Sequence, residues 1–321
     1  MINYTPPIGQ DKIISHFKNA RRQNKLSAAY ILEGESGMGK KEVAKYLTLL
    51  VMCDEDEPCL NCSKCRYTLG GTNTDIFYVS NEEKASIGID KVREIIKEAY
   101  IMPKISDKKI FVIDNAHLLT KEAQNALLKV LEEPPQYVMF FLLCESVNFL
   151  LQTILSRTVM VRLDPLSKEN LKKITLCDND FLIEYANGCP GKLIKLMHDE
   201  EFISLRNSFF ENIVYLTSGK EYDLYKIYNF FESNKDSKDT LFKMLIIFFK
   251  DVLFKKNQCE NFVTNKDKMS YINAFSQNLS KKKCENILSI ITKTQIEMGK
   301  YGAYPVNVHA MLIKIWEEIY G

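Results

Sequence analysis

Gly34-Glu35-Ser36-Gly37-Met38-Gly39-Lys40-Lys41 follows the apolar run Ala29-Tyr30-Ile31-Leu32 and opens a helical pattern from Glu42 to Met52. Strand, glycine-rich loop and helix in that order describe a phosphate-binding loop. Its glycines let backbone N–H groups wrap a polyphosphate, and its lysine reaches the outer phosphates. In a working loop the next residue is Ser or Thr, whose hydroxyl ligates Mg²⁺. Lys41 stands there instead. A second ammonium attracts phosphate but cannot ligate a cation. Gly34, Gly37, Gly39, Lys40 and Lys41 therefore read as a nucleotide site without its metal ligand, and Lys41 is expected to fill part of its own phosphate pocket. A plain scaffold turn is the alternative, and the strand–loop–helix context argues against it.

The partner motif is Lys109-Ile110-Phe111-Val112-Ile113-Asp114-Asn115, an apolar strand that delivers a carboxylate at its end. Asp114 is where a phosphate-loop protein places the acid that holds Mg²⁺. ATP-hydrolysing proteins of this type usually follow it with Glu, which orients the attacking water; Asn115 cannot accept a proton. With metal ligation and water activation both removed, hydrolysis should slow by several powers of ten.

An opening helix is predicted over Gln10–Asn24, with Ile13, Ile14, Phe17 and Ala20 on one face. Five β-rich runs follow: Ala29–Leu32, Ile76–Val79, Ile110–Ile113, Val138–Leu143 and Val159–Leu163. They alternate with helical segments, notably Lys91–Tyr100 and Lys121–Glu132. This alternation implies an α/β domain with a five-stranded parallel sheet covered on both faces. Asp164-Pro165-Leu166-Ser167 breaks the pattern, so the first domain is placed at 1–163. A short helical block occupies 164–199, and 200–321 repeats long amphipathic patterns that read as an all-α bundle.

Nine cysteines are present, and Cys53-x5-Cys59-x2-Cys62-x2-Cys65 gathers four of them into one short module at 53–65. Paired Cys-x-x-Cys knuckles bring four thiolates around one ion, the closed shell of structural zinc. Asp54, Glu55, Asp56 and Glu57 read as solvated residues, not ligands. The alternatives are four reduced thiols, which would be reactive, and a zinc-dependent nucleic-acid-binding module, against which the four acids argue by repelling phosphate.

The formal net charge of +2 excludes no partner class, because nucleic acid follows clustered basic residues and not the total. No run reaches the roughly 18 apolar residues of a membrane span, and Met1–Pro7 carries no leader pattern, so a cytoplasmic protein without a membrane partner is expected. His117 after the Asp114 strand reads as a packing or hydrogen-bonding residue.

With these pieces in place, the chain resembles the bacterial clamp-loader branch of AAA+ proteins, and within it the delta-prime type of DNA polymerase III subunit. Asn125-Ala126-Leu127-Leu128-Lys129-Val130-Leu131-Glu132-Glu133-Pro134-Pro135 resembles that family's helix after the second nucleotide motif. Thr153-Ile154-Leu155-Ser156-Arg157-Thr158 resembles its Ser-Arg-Cys element, with Thr158 in place of the cysteine. The cysteine module resembles the zinc module inserted in this branch. Lys41 and Asn115 separate the chain from the ATP-hydrolysing tau/gamma type.

The resemblance implies an AAA+ domain, a small helical lid over 164–199 and a C-terminal collar over 200–321. It implies partnership with tau/gamma and delta subunits in a hetero-pentamer, and indirectly with the sliding clamp and primer-template DNA. It implies Arg157 as an arginine finger acting in trans, structural Zn²⁺, and weak or absent ATP binding. The family's sensor position falls within Cys144-Glu145-Ser146, and its lid motif around Gly191-Lys192.

Overall fold

The computed structural model describes residues 4–80, 86–301 and 303–320. The chain forms two compact units, Met1–Leu176 with Gly188–Lys192, and Cys177–Asn187 with Leu193–Gly321.

The first unit holds strands β1 (Ala29–Glu33), β2 (Ile76–Val79), β3 (Lys109–Ile113), β4 (Val138–Cys144) and β5 (Val159–Arg162). All pair in parallel in the order β2-β3-β4-β1-β5. Its helices include α1 (Asp11–Arg22), α2 (Lys40–Met52), α3 (Ser63–Leu69), α4 (Ile89–Ala99), α5 (Lys121–Glu132) and α6 (Gln152–Leu155). The two-residue side-chain period divides each apolar strand between two cores. Ile31, Phe111, Ile113, Phe140 and Leu142 pack on one face with Val92 and Ile95 of α4 and Leu127 and Val130 of α5. Tyr30, Leu32, Ile110, Val112, Phe141 and Leu143 pack on the other with Phe17 of α1 and Val43 and Leu47 of α2. Phe111 pairs with Phe140 in register, and their rings stack at 5.1 Å. Continuous apolar strands are thus required, because helices cover both faces.

The five strands lie where the sequence pattern puts them, to within one residue at each end. α5 spans the expected residues, and Pro134-Pro135 halt it because proline cannot continue the backbone ladder. Asn24, at φ +53°, adopts a left-handed turn soon after α1, so that helix is shorter than its apolar spacing suggests. α3 was not expected; at seven residues it is too short to show a period.

The second unit is helical, with no strand among its described residues. Its helices include Glu200–Ile213, Glu221–Ser233, Lys238–Lys256, Met269–Asn278, Lys281–Tyr301 and Tyr304–Tyr320. Lys238–Lys256 is apolar almost all round and buries Phe242, Leu245, Phe248, Phe249 and Val252, the signature of a central helix. Asp251 on this helix is buried and accepts hydrogen bonds from Thr264 N and Oγ1 and from Asn265 N and Nδ2. Arg206 grips the next stretch, with Nη1 and Nη2 each 2.8 Å from the Asp267 carboxylate, and lies 4.2 Å from the Phe181 ring centre. Among the described residues no helix is long and apolar enough to cross a membrane.

Candidate functional site

The phosphate-type loop leaves the end of β1, between β4 and β5, where the order of the sheet reverses along the chain. Open parallel sheets place ligand crevices at such reversals. Gly37 and Gly39 have φ of +83° and +86°, in the left-handed region that favours glycine, and Gly39 caps α2. Lys40 is only 8% exposed. Its ammonium turns back on its own loop, donating to Gly34 O at 2.6 Å and Glu35 O at 3.0 Å, and burial pulls its pKa down.

The crest of the loop meets the strap Gly188–Lys192 of the same unit. Gly191 N donates to Gly37 O at 2.9 Å, and Cys189 Sγ donates to Ser36 O at 3.2 Å. A Cβ on Gly191 would lie 2.7 Å from Gly37 Cα, so the approach needs glycine there. In the sequence this segment read as a lid motif, and the close contact through Gly191 was missed. Its one sequence signal is the spacing of Gly188 and Gly191 around Pro190.

Lys41, expected to fill part of its own phosphate pocket, reaches the carboxylate of Asp114. Its Nζ lies 2.9 Å from Asp114 Oδ2, with a side chain that is 67% exposed against 12% for the aspartate. Asn115 Nδ2 donates to the same oxygen at 3.1 Å. Asn115 adopts φ +53°, a conformation asparagine tolerates better than most residues. The donor set does not fit the Mg²⁺ of a working loop. No hydroxyl follows Lys40, and Oδ2 of the Asp114 carboxylate already faces an ammonium and accepts from an amide.

Around this centre, buried Glu33 accepts from Val147 N at 3.1 Å and lies 3.5 Å from Arg162 Nε. In the expected sensor stretch Cys144 is buried in β4, and Glu145 N donates to His117 Nδ1 at 3.5 Å, the hydrogen-bonding role expected of that histidine. Buried Gln124 of α5 donates to Leu119 O and Phe149 O, both at 3.1 Å, and accepts from Leu151 N at 2.8 Å. It thereby ties α5 to the turn that leads into α6. Glu33 and Gln124 were not singled out from sequence, since a single polar residue in an apolar run carries no pattern.

Arg157 stands apart from the loop, in the turn between α6 and β5. Its Nη1 donates to Thr153 O at 2.9 Å and Ser156 Oγ at 3.1 Å, and its Nη2 lies 2.8 Å from Glu132 Oε1.

The four clustered cysteines do converge. The sulfurs of Cys53, Cys59, Cys62 and Cys65 all lie within 4.8 Å of one another. Tetrahedral zinc at about 2.3 Å from each sulfur needs separations near 3.8 Å, so the set fits after a small contraction. Cys59 N donates to Cys53 Sγ, Cys62 N to Cys59 Sγ and Cys65 N to Cys62 Sγ, at 3.3–3.4 Å. The Cys62 amide at its sulfur is the main reason Cys59 titrates down at about 7. Leu60 adopts φ +62°, the turn a Cys-x-x-Cys knuckle requires at some cost for a branched side chain.

The acidic residues beside the cysteines are not merely solvated, as the sequence reading had them. Asp56 pairs with Arg22 at 3.0 Å, Asp54 with Lys64 at 2.7 Å, and Glu57 with Lys18. Arg21 donates to the carbonyls of Glu55 and Cys53. The module is therefore latched to the basic end of α1.

Two family matches run in order along the chain. The family described as DNA polymerase III, delta subunit, matches residues 9–167, and its C-terminal counterpart matches residues 200–307. DNA polymerase III subunit gamma/tau of Mycoplasma genitalium is 30% identical over 268 residues, which is 73% of this chain and 44% of that protein. Subunit tau of Bacillus subtilis is 35% identical over 153 residues, 47% of this chain and 27% of that protein. The chain thus spans less than half the length of either relative. A gamma subunit-related protein of Thermotoga maritima aligns with 94% of this chain and 99% of its own, at 19% identity and a TM-score of 0.39. The phosphate-type loop at the sheet reversal and the ordered pair of family matches lead to one conclusion: this chain belongs to the DNA polymerase III clamp-loader family.

Proposed function

We propose that the chain is the delta-prime type of clamp-loader subunit, a non-hydrolysing member that serves an ATP site on a neighbour. The observation that bears most weight is the Lys41–Asp114 contact, with Asn115 on the same oxygen. An ammonium holds the carboxylate that would carry Mg²⁺, and no second carboxylate follows to activate water. In this reading Gly34, Gly37, Gly39, Lys40, Lys41 and Asp114 form a degenerate nucleotide site that binds ATP weakly or not at all. Arg157 is the arginine finger, stabilising charge on the phosphoryl group transferred at a neighbouring tau/gamma subunit. Cys53, Cys59, Cys62 and Cys65 hold a structural Zn²⁺ that braces the first domain.

The reading divides the chain into an AAA+ domain to residue 163, a lid over 164–199 and a collar from 200. The collar joins tau/gamma and delta subunits in a cytoplasmic hetero-pentamer that sets a sliding clamp on primed DNA. The names of the relatives favour a second reading, a tau/gamma-type subunit with its own turnover. ATP hydrolysis by the purified chain separates the two. Background rates are expected alone, and in the reconstituted assembly Arg157→Ala should depress DNA-stimulated hydrolysis while this chain stays folded. Clamp loading that is fully retained with that substitution rules out the trans-acting arginine.

A further inference from the structure

We infer that Glu132 is a positioning residue for Arg157, aiming the guanidinium outward at phosphate oxygens supplied by another molecule. The inference rests on the trans-arginine reading above. A guanidinium has five N–H donors. Nη1 spends both of its own on Thr153 O and Ser156 Oγ, while Nη2 is held 2.8 Å from Glu132 Oε1 as an ion pair. Among the described residues Nε has no partner, and Nη2 has only the Glu132 ion pair. The Arg157 side chain is 34% exposed, so these donors belong to a group held by its own chain yet open to solvent.

Two of the three restraints come from α6 and its following residue, and they move with the arginine. Glu132 comes from another element, the last turn of α5, and is the contact that fixes the arginine relative to the rest of the domain. Pro134 and Pro135 end that helix just beyond the carboxylate, and Gln124 ties the same helix to the turn before α6. The Glu132 backbone is thus fixed from both directions. A long flexible side chain otherwise spends rotamer freedom each time it engages. Prior placement removes that cost, and misplacement by about 1 Å can lower a rate a hundredfold.

The test uses the assembly reconstituted from this chain and its tau/gamma and delta partners, with kcat and KM for ATP measured separately. Glu132→Ala is expected to lower kcat about tenfold with KM unchanged, and Glu132→Gln, which keeps an acceptor oxygen, to recover most of the loss. Glu133→Ala, next to it on the exposed helix end, is expected to behave as wild type. Glu132→Ala combined with Arg157→Ala should be no worse than Arg157→Ala alone. Thermal melting checks that each variant folds. An unchanged or raised kcat in Glu132→Ala, while Arg157→Ala is depressed, overturns the role of Glu132 alone. An unaffected Arg157→Ala overturns the trans-arginine reading itself.

Discussion

Lys41 Nζ and Asp114 Oδ2 are 2.9 Å apart, so the residue in the place of a hydroxyl puts its positive charge on the carboxylate that a working phosphate loop would offer to Mg²⁺. Solvent around the exposed lysine screens the pair and holds its worth to about 1 kcal/mol, although Asp114 is largely buried. Lys41→Thr is therefore expected to shift stability by less than that, measured by chemical denaturation. Because Asn115 still supplies no base, the variant should hydrolyse ATP no faster than wild type. A Mg²⁺-dependent turnover near ~1 s⁻¹ in either protein, within the ordinary enzyme range, would count against this account.

Metal analysis of the purified chain should find one zinc per molecule. Chelation, or Cys65→Ser, is expected to lower the stability of the first unit by more than about 2 kcal/mol, read as a fall in melting temperature. Protons compete with zinc for the thiolates, so zinc loss should accelerate as the pH falls. Arg21 holds the Cys53 and Glu55 carbonyls and so ties the cysteine module to α1. Arg21→Ala should hasten zinc transfer to a chromogenic chelator, and an unchanged rate would mean that the latch to α1 does not restrain the module.

Gly191→Ala places a methyl group 2.7 Å from the Gly37 backbone, which has no flexible end to give way. Overpacking of this sort costs about 1–3 kcal/mol. Amide exchange at Gly191, protected by its bond to Gly37 O, should speed up in the variant. If protection is unaltered, the strap tolerates the methyl and the close approach is not a constraint.

Asp251→Asn keeps the shape of the side chain but turns an NH2 group toward backbone or side-chain donors of Thr264 and Asn265. A loss of about 2–3 kcal/mol is expected, because a buried donor then faces a donor. Urea unfolding with a lower midpoint and unchanged slope would show it. A midpoint equal to wild type would mean that the loop reorganises around the amide.

The sheet was legible because its strands are buried on both faces. Runs such as Val138–Cys144 have no polar residue to blur them, and the helices between them show their own period. The four zinc-type cysteines were legible for a different reason: a fixed short spacing leaves thiolates little choice but to converge. The pairings were less legible. Lys41 was readable as a lost ligand, but where its ammonium goes depends on Asp114, whose distance is set by the fold. Arg157 stood out through its motif resemblance, but its ion-pair partner Glu132 read only as part of a helix end. Gly191 read as part of a lid motif, and nothing in that motif told of its contact with the phosphate-type loop. Contacts across distant segments leave no period in the sequence.

The contact between Gly37 and Gly191 bears on how such a loop can change over generations. A hydroxyl restored at position 41 would still meet Asn115, and a carboxylate restored at 115 would still meet Lys41. Both repairs together would leave a crest fastened to a strap in which Gly191 admits no side chain. On the non-hydrolysing reading, each single substitution would therefore bring no hydrolytic gain for selection to keep. On the non-hydrolysing reading, the three features would act as a ratchet that no single substitution releases.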